Sequence, residues 1–218
     1  MSTDPATVTI RRAFLDDIGG LLAVHGDAFH DKFVAAFGSR SYDRGVALMH
    51  DIWRRQGPAG MAGIWVAMAD GEIVGTIAVR SRLASRLLPP IPVEWLFIRT
   101  LGLFRGLYAI FALSLVDYHV GADEAYISDV AVRSSHRRRG IATLLLEHAI
   151  AEAQRQRLRS VCLFVKANNT SALRLYQQHG FVQVGVRRSL FGWILVRNST
   201  WYLLRRTVTA PVPSQIVE

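Results

Sequence analysis

Arg137-Arg138-Arg139-Gly140-Ile141-Ala142 is a basic turn with one glycine, and it stands between two apolar segments. Residues 126–132 before it have the composition of a strand, and a helical apolar pattern follows it at Ile141, Leu144, Leu145, His148 and Ala149. The first amides of a helix have no partner within the helix, and the helix dipole favours an anion there. Gly140 lets the backbone approach a ligand closely, so the stretch predicts a phosphate site.

A second segment begins 32 residues after Arg137, which leaves room for a helix and a strand between the two. Its sequence is Asn169-Thr170-Ser171-Ala172-Leu173-Arg174-Leu175-Tyr176-Gln177-Gln178-His179-Gly180-Phe181. The first stretch resembles the Arg/Gln-x-x-Gly-x-Gly/Ala signature of GNAT-type acyltransferases. The second resembles the Asn-x-x-Ala-x-x-Leu-Tyr-x-x-x-Gly-Phe element of the same family, in the branch of ribosomal-protein N-terminal acetyltransferases. An ordinary βαβ unit with a basic turn is the alternative.

The resemblance implies the α/β (α+β) fold of that family. This fold is a mixed, mostly antiparallel, twisted sheet with splayed central strands and flanking helices. The resemblance is weak over residues 7–80 and close over residues 124–206, so we expect a single domain in residues 1–218 with a core at about 7–206. A flexible tail at 207–218 and a helical insertion at about 83–120, between the third and fourth strands, complete the expected organisation.

Local signals predict the other elements. Residues 8–12 are expected to form the first strand, followed by a helix that Asp16 or Asp17 caps and whose buried stripe includes His25. A second helix is expected at 42–56. Asp70-Gly71 predicts a type I′ hairpin between strands at 64–69 and 73–79. The remaining strands are expected at 160–166, 181–186 and 200–205, with a helix between the first two that ends at Gly180.

The family resemblance also assigns a coenzyme site. Strand residues Val130, Ala131 and Val132 are expected to hydrogen-bond the pantetheine arm through their backbone, with a bulge near Asp129. The turn is expected to wrap the diphosphate of acetyl-coenzyme A with Arg137, Arg138, Arg139, Gly140, Ile141, Ala142 and Thr143. Asn169 resembles the asparagine that holds the coenzyme arm. Tyr176 resembles the general acid, and an unperturbed pKa of about 10 would keep its hydroxyl protonated.

The general base is the open position of the site. Some relatives carry a glutamate where this chain has Phe164, and others carry one where it has Ser128. Asp129, Glu124 and His119 remain as candidates, and Asp129 is equally well explained as a structural carboxylate. We therefore expect an acetyl-coenzyme A-dependent N-acetyltransferase that acts by direct transfer, with Tyr176 and Asp129 as catalytic residues. The alternative is an idle acyl-coenzyme A-binding module with a regulatory or membrane role.

Composition limits the partners and the compartment. The formal charge is +9, with 26 basic and 17 acidic residues, but no zinc-ligand spacing or aromatic-basic sheet pattern predicts nucleic-acid binding. We expect an amine acceptor, no metal, and a monomer or homodimer. The single cysteine, Cys162, lies in an apolar run, and no secretory pattern opens the sequence, so a cytoplasmic location is expected.

The expected insertion is the least typical part of the sequence. Pro90, Pro92, Gly102 and Gly106 interrupt an apolar segment, which predicts two short helices. The longest run without charge, 106–116, is shorter than the roughly 20 residues that a membrane span needs. A cap over the domain's own core is expected, packed beside the acceptor groove between the strands near Val79 and Ala125. Arg99 and Arg105 are then expected to face solvent or substrate. A substrate lid, a dimer interface and a membrane-surface contact are the alternatives.

Overall fold

The computed structural model describes residues 8–82, 87–114, 118–188 and 200–208. One sheet of seven strands, in the order β1-β2-β3-β4-β5-β7-β6, organises them. The strands are β1 (Thr9–Arg12), β2 (Ile64–Ala69), β3 (Glu72–Ser81), β4 (Glu124–Val132), β5 (Ser160–Lys166), β6 (Val182–Arg188) and β7 (Thr200–Thr207). Neighbouring strands are antiparallel except β4 and β5, which are parallel. The expected mixed, mostly antiparallel sheet is thus confirmed.

Helices flank this sheet. They are α1 (Ile18–Ala28), α2 (His30–Phe37), α3 (Tyr42–Met61), α4 (Val93–Leu101), α5 (Leu103–Ser114), α6 (Ile141–Arg155) and α7 (Thr170–Gln178). The main core lies between the sheet and the buried stripe of α6, whose members include Ile141, Leu145, Leu146 and Ala149. The predicted stripe was wrong in one position, because Leu144 is exposed while its neighbour Leu146 is buried. A second core cluster joins α1 to β2, β3 and β4.

The tight turns follow the sequence signals closely. Asp70 and Gly71 have φ values of 52° and 78°, as the predicted type I′ hairpin requires. Gly180 has a φ of 76° just after α7, which agrees with its predicted role at the end of that helix. The prediction for α1 was less accurate, since Asp17 makes no side-chain cap. Its carboxylate instead accepts hydrogen bonds from Arg11 and from the backbone N–H of Phe14.

The region between β1 and β2 holds one more helix than the sequence predicted. Helix α2 was not predicted because it is only eight residues long and follows α1 directly. Only Phe29 separates the two helices. Helix α3 also runs past the predicted end at Gln56. Gly57 interrupts it with a non-helical φ of 62°, and one further turn continues to Met61.

The insertion forms two helices, α4 and α5, that meet at Gly102, as the sequence predicted. They pack chiefly on α2 and α3 rather than beside strands β3 and β4 as expected. The shared cluster consists of Phe33, Ala36, Phe37, Leu48, Ile52, Leu96, Phe97, Ala109 and Ala112. The predicted break at Gly106 was wrong. Gly106 lies inside α5 and is buried where α5 crosses α4 most closely.

Two other features of the insertion differ from expectation. Arg105 does not face solvent but donates to the backbone oxygens of Val34 and Ala35, at 3.3 Å and 3.2 Å, near the C-terminal end of α2. A cation there is favoured by the helix dipole. The outer face of the two helices is apolar and open to solvent, and Phe104 is 87% exposed. Among the described residues, no helix is long and apolar enough to cross a membrane.

The tight crossing of α4 and α5 predicts a steric effect at Gly106. A Cβ added there would lie 2.6 Å from the Ile98 Cα and 2.9 Å from the Phe97 oxygen. Gly106→Ala should therefore lower the free energy of unfolding by about 1–3 kcal/mol, although alanine favours helices. Gly19→Ala is the matched control, because a Cβ at Gly19 meets nothing within 4 Å. It should be neutral or stabilising by up to about 1 kcal/mol in the same urea titration. Equal effects of the two substitutions would contradict the packing of the insertion.

Candidate active site

The basic turn forms a concave backbone surface at the start of α6. After β4, a short 3-10 helix covers Ser134–His136, and the chain then passes through Arg137 to Gly140. Arg138 and Gly140 both have positive φ, at 62° and 78°, and residues 137–140 are exposed. Such alternation of backbone conformation directs successive N–H groups into one concavity, which suits an anion. The first turn of α6 adds its own amides and its dipole.

A carboxylate from α1 fixes the chain just before this turn. Asp27 accepts a hydrogen bond from the Ser134 backbone N–H. This hydrogen bond and the nearby cations Arg137 and Arg133 hold the pKa of Asp27 below its usual value, although partial burial opposes them. The Arg137 Nε donates to the Val132 oxygen at 3.3 Å, which anchors the base of its side chain to β4. The contacts of Asp27 and Arg137 therefore hold the turn in place, while its residues stay at the surface.

The central strands separate next to this turn. β4 pairs with β5 only from Glu124 to Ile127, opposite Ser160 to Leu163, although both strands continue further. Within the described part of the chain, no strand pairs with the β5-facing edge of Val130, Ala131 and Val132. On its other edge β4 continues to pair with β3, so these three residues remain extended. The splayed central strands expected from the family resemblance are thus present.

β4 also carries an irregularity where the two strands part. Its register with β3 shifts, so that Ala78 lies opposite Asp129 while Val79 lies opposite Ile127. Ser128 is the extra residue, as in a β-bulge, and the bulge expected near Asp129 is confirmed. Its hydroxyl contacts the Asp129 carboxylate at 3.2 Å. A bulge redirects the side chains beside it, and here it places Asp129 at the opening of the gap.

Tyr176 and Asp129 act on each other electrostatically. Tyr176 is only 9% exposed, and its ring lies 5.8 Å from that of Phe181. Burial raises the pKa of Tyr176 to about 12, and the negative charge of Asp129 contributes in the same direction. The phenol consequently keeps its proton throughout the neutral range. This is the state that a proton donor needs.

Asp129 pairs with a histidine from α1. The His25 Nε2 lies 3.2 Å from Asp129 Oδ1, and the Asp129 side chain is 24% exposed. Burial acts to raise the pKa of Asp129, but His25, Lys32 and the Ser128 hydroxyl together outweigh it and leave that pKa below its usual value. The carboxylate is thus ionised at neutral pH beside the protonated Tyr176.

Lys32, on the first turn of α2, is the second cation near Asp129. Its side chain is exposed, and its Nζ lies 5.9 Å from the centre of the Phe29 ring. Desolvation lowers the pKa of Lys32, and repulsion by Lys166 acts in the same direction, while Asp129 opposes both. Lys32 is thus an exposed cation whose charge favours the ionised form of Asp129.

Glu124, His119 and Asn169 are the remaining polar candidates from the sequence. Glu124 accepts hydrogen bonds from Tyr118 at 2.9 Å and from Arg205 at 2.8 Å, so it serves as the centre of a polar network. His119 is exposed. Asn169 Oδ1 accepts from the Ala172 backbone N–H at 3.2 Å and caps α7. Among the described residues, no group of three or more histidine, cysteine or acidic side chains is placed to hold a metal.

Sequence reasoning missed two residues of this cluster. His25 was expected as a core or groove residue, and Lys32 was not considered at all. His25 stood out in the sequence as a polar ring within the apolar stripe of α1. Its partner, Asp129, could not be predicted because it lies on β4, more than a hundred residues later. Lys32 carried no signal, because the helix that holds it was not predicted.

Known proteins share the fold and the sequence pattern. A family model described as "Acetyltransferase (GNAT) family" matches residues 26–181. The [ribosomal protein bS18]-alanine N-acetyltransferase of Escherichia coli is 34% identical over 87 residues, which are 40% of this chain and 56% of that protein. N-alpha-acetyltransferase 30 of Saccharomyces cerevisiae is 39% identical over 79 residues, covering 36% of this chain and 43% of that protein. The chain therefore spans about half the length of the curated relatives it matches.

Solved structures agree with this assignment at the level of the fold. The Escherichia coli bS18-alanine enzyme superimposes with a TM-score of 0.55 at 16% identity, covering 95% of this chain and 98% of that one. The PaiA N-acetyltransferase of Thermoplasma acidophilum, solved in complex with coenzyme A, gives a TM-score of 0.58 at 11% identity, covering 92% and 99%. On the extent of the family match, this chain belongs to the GNAT acetyltransferase family.

Proposed function

We propose that this chain transfers an acetyl group from acetyl-coenzyme A to a primary amine. The observation that carries the proposal is one continuous arrangement of backbone and side chains. The turn at the start of α6 follows β4, whose pairing with β5 ends at Ile127, and the same strand carries the ionised Asp129, whose charge acts on the protonated Tyr176. An anion site, an extended backbone edge, a proton acceptor and a proton donor are the parts that acyl transfer to an amine requires.

The coenzyme would lie along this arrangement. Its diphosphate fits the amides of residues 139–143, where Gly140 leaves open space above its Cα. Arg137, Arg138 and Arg139 add charge around the diphosphate or reach the 3′-phosphate. The edge of Val130, Ala131 and Val132 that β5 does not pair with offers backbone groups to the pantetheine amides, although the Val132 oxygen already accepts from Arg137. Asn169 stabilises the start of α7, and through that helix the position of Tyr176.

The chemistry needs one proton transfer to this chain and one from it. The bound coenzyme supplies a thioester whose acetyl carbon bonds to the amine nitrogen as its bond to sulfur breaks. Asp129 accepts the proton that the amine nitrogen loses, and Tyr176 donates its hydroxyl proton to the departing sulfur. Solvent then carries the proton from Asp129 back to Tyr176, which restores both residues. The products are an amide and the free thiol of coenzyme A.

The low pKa of Asp129 restricts the acceptor. A weak base cannot deprotonate a strongly basic ammonium efficiently, so the acceptor must present a substantial neutral fraction at neutral pH. A peptide α-amino group has a pKa of about 8, whereas a lysine side chain has one of about 10.4. We therefore place protein and peptide N-termini ahead of lysine side chains and of aliphatic small-molecule amines. The names of the two relatives, an alanine N-acetyltransferase that acts on a ribosomal protein and an N-alpha-acetyltransferase, favour the same choice.

A mass-spectrometric panel tests this function. Purified protein and acetyl-coenzyme A are mixed with pairs of peptides that carry either a free N-terminus or only a free lysine, and with small primary amines. Acetylation of N-termini in preference to lysines is expected. Tight coenzyme binding without turnover on any amine would instead favour an idle binding module. A cytoplasmic location and a monomeric or dimeric state remain predictions for cell fractionation and light scattering.

Substitution of Gly140 tests the coenzyme turn. Gly140→Asp places a negative side chain at a residue with a φ of 78°, beside the expected diphosphate. Coenzyme A affinity should fall at least tenfold by calorimetry, which corresponds to about 1.4 kcal/mol. Gly102→Asp is the matched control, because Gly102 has a φ of 82° and open space but lies in the insertion. Unchanged affinity in a folded Gly140→Asp protein would refute the assignment of this turn.

Substitution of Tyr176 tests the proton donor. Tyr176→Phe keeps the buried ring and removes only the hydroxyl, so turnover should fall by roughly 10²-fold while coenzyme affinity changes little. Tyr108→Phe serves as the control, since Tyr108 lies in α5 and makes its ring contact with Arg105. Steady-state kinetics with the best peptide of the panel provides the measurement. Wild-type turnover in Tyr176→Phe would leave Tyr176 as a packing residue only.

A further inference from the structure

His25 is a buried polar side chain that the expected acetyl-transfer machinery does not use. It is 8% exposed, and its ring lies 5.7 Å from both Phe29 and Trp53. These aromatic neighbours hold the ring in one place but offer no hydrogen bond to its Nε2. That nitrogen is shielded from solvent and lies 3.2 Å from Asp129 Oδ1, close enough for an ion pair, although the two atoms are not aligned for a regular hydrogen bond.

The Asp129 oxygen on the other side of this contact is equally shielded. Asp129 Oδ1 has no solvent contact, whereas the side chain as a whole is 24% exposed. The His25 ring is thus the near cationic group for Oδ1, while Oδ2 accepts a hydrogen bond from the Ser128 hydroxyl at 3.2 Å. A carboxylate oxygen without water or a partner is costly, and the usual outcome is that the group takes up a proton.

We propose that His25 is a positioning residue for acetyl transfer, which holds Asp129 ionised so that Asp129 can accept the proton of the amine. This inference rests on the proposed function. The Nε2–H group of His25 lies beside Oδ1 and leaves the other oxygen for the acceptor. The rings of Phe29 and Trp53 fix the imidazole, so the carboxylate has one preferred orientation at the bulge.

Other charged groups around Asp129 set the size of the effect. Lys32 of α2 also favours the ionised form of Asp129, and the Ser128 hydroxyl on β4 contributes a hydrogen bond. Tyr176 of α7 is neutral, and Lys166 of β5 acts on Lys32 rather than on Asp129 in the described contacts. Because Lys32 and Ser128 remain when His25 is replaced, the pKa of Asp129 should rise without reaching the value of a fully buried acid.

A carboxyl titration measures this effect without reference to activity. Protein labelled with ¹³C at the aspartate carboxyl carbon is titrated by NMR, and Asp129→Asn identifies the signal. In His25→Leu the midpoint of Asp129 should rise by roughly 1–3 pH units, the range expected when an opposite charge or donor is lost. The acidic limb of kcat/KM for the amine should rise with it. Coenzyme A affinity, measured by calorimetry, should stay within about twofold.

Two polar variants separate positioning from packing. Glutamine places its amide nitrogen near the position of Nε2, whereas asparagine places it near Nδ1. His25→Gln should therefore keep the Asp129 midpoint closer to that of wild type than His25→Asn does. These variants decide the question if His25→Leu does not fold. Equal midpoints in the two variants would overturn the proposal.

The remaining outcomes each have one meaning. An unmoved Asp129 midpoint in folded His25→Leu overturns the role of His25. A raised midpoint with an unmoved acidic limb also overturns it, because the charge on Asp129 would then not control the reaction. If wild-type protein acetylates no amine, the proposed function fails, while the titration still decides whether His25 sets the charge of Asp129.

Discussion

Strands β4 and β5 run parallel and share hydrogen bonds only as far as Ile127 and Leu163. Up to that point both strands belong to the main core, where Ala125, Val161 and Leu163 are almost fully buried. Beyond it, β4 stays with β3 and β5 stays with β7. The sheet therefore remains held together on both sides of the gap by its antiparallel neighbours. The separation leaves backbone groups available for a ligand in a place that the core itself keeps rigid.

The residue after the bulge at Ser128 is Asp129, which adds a negative charge near the point where β4 and β5 separate. A carboxylate beside the main core is stable only when other groups compensate for lost hydration. Here the compensation comes from outside the sheet, through His25 on α1 and Lys32 on α2. Phe29 links the two helices, since its ring lies 5.7 Å from His25 and its centre lies 5.9 Å from the Lys32 Nζ. The electrostatics of the gap thus depends on how α1 and α2 pack on β4.

Sequence-based prediction succeeded where the cause was local. The Asp70-Gly71 turn, the junction at Gly102 and the end of α7 at Gly180 each need a backbone conformation that few residues adopt. The β4–turn–α6 unit was predictable for the same reason. Prediction failed where the cause was distant in sequence. Arg105 is paired with α2 and His25 with β4, and neither contact could be found without the packing of helices on the sheet.

The insertion packs on α2, the helix that also carries Lys32. One face of α2 buries Phe33, Ala36 and Phe37 against α4 and α5, and Arg105 holds its C-terminal carbonyls. The first turn of α2 carries Lys32, whose charge and that of Asp129 act on each other. A change in the insertion would therefore reach the site through the position of α2, without any direct contact to the reacting groups. Because charge attraction weakens with distance, even a small displacement of Lys32 alters the field on Asp129. One helix therefore carries both the packing surface for the insertion and the lysine whose charge acts on Asp129.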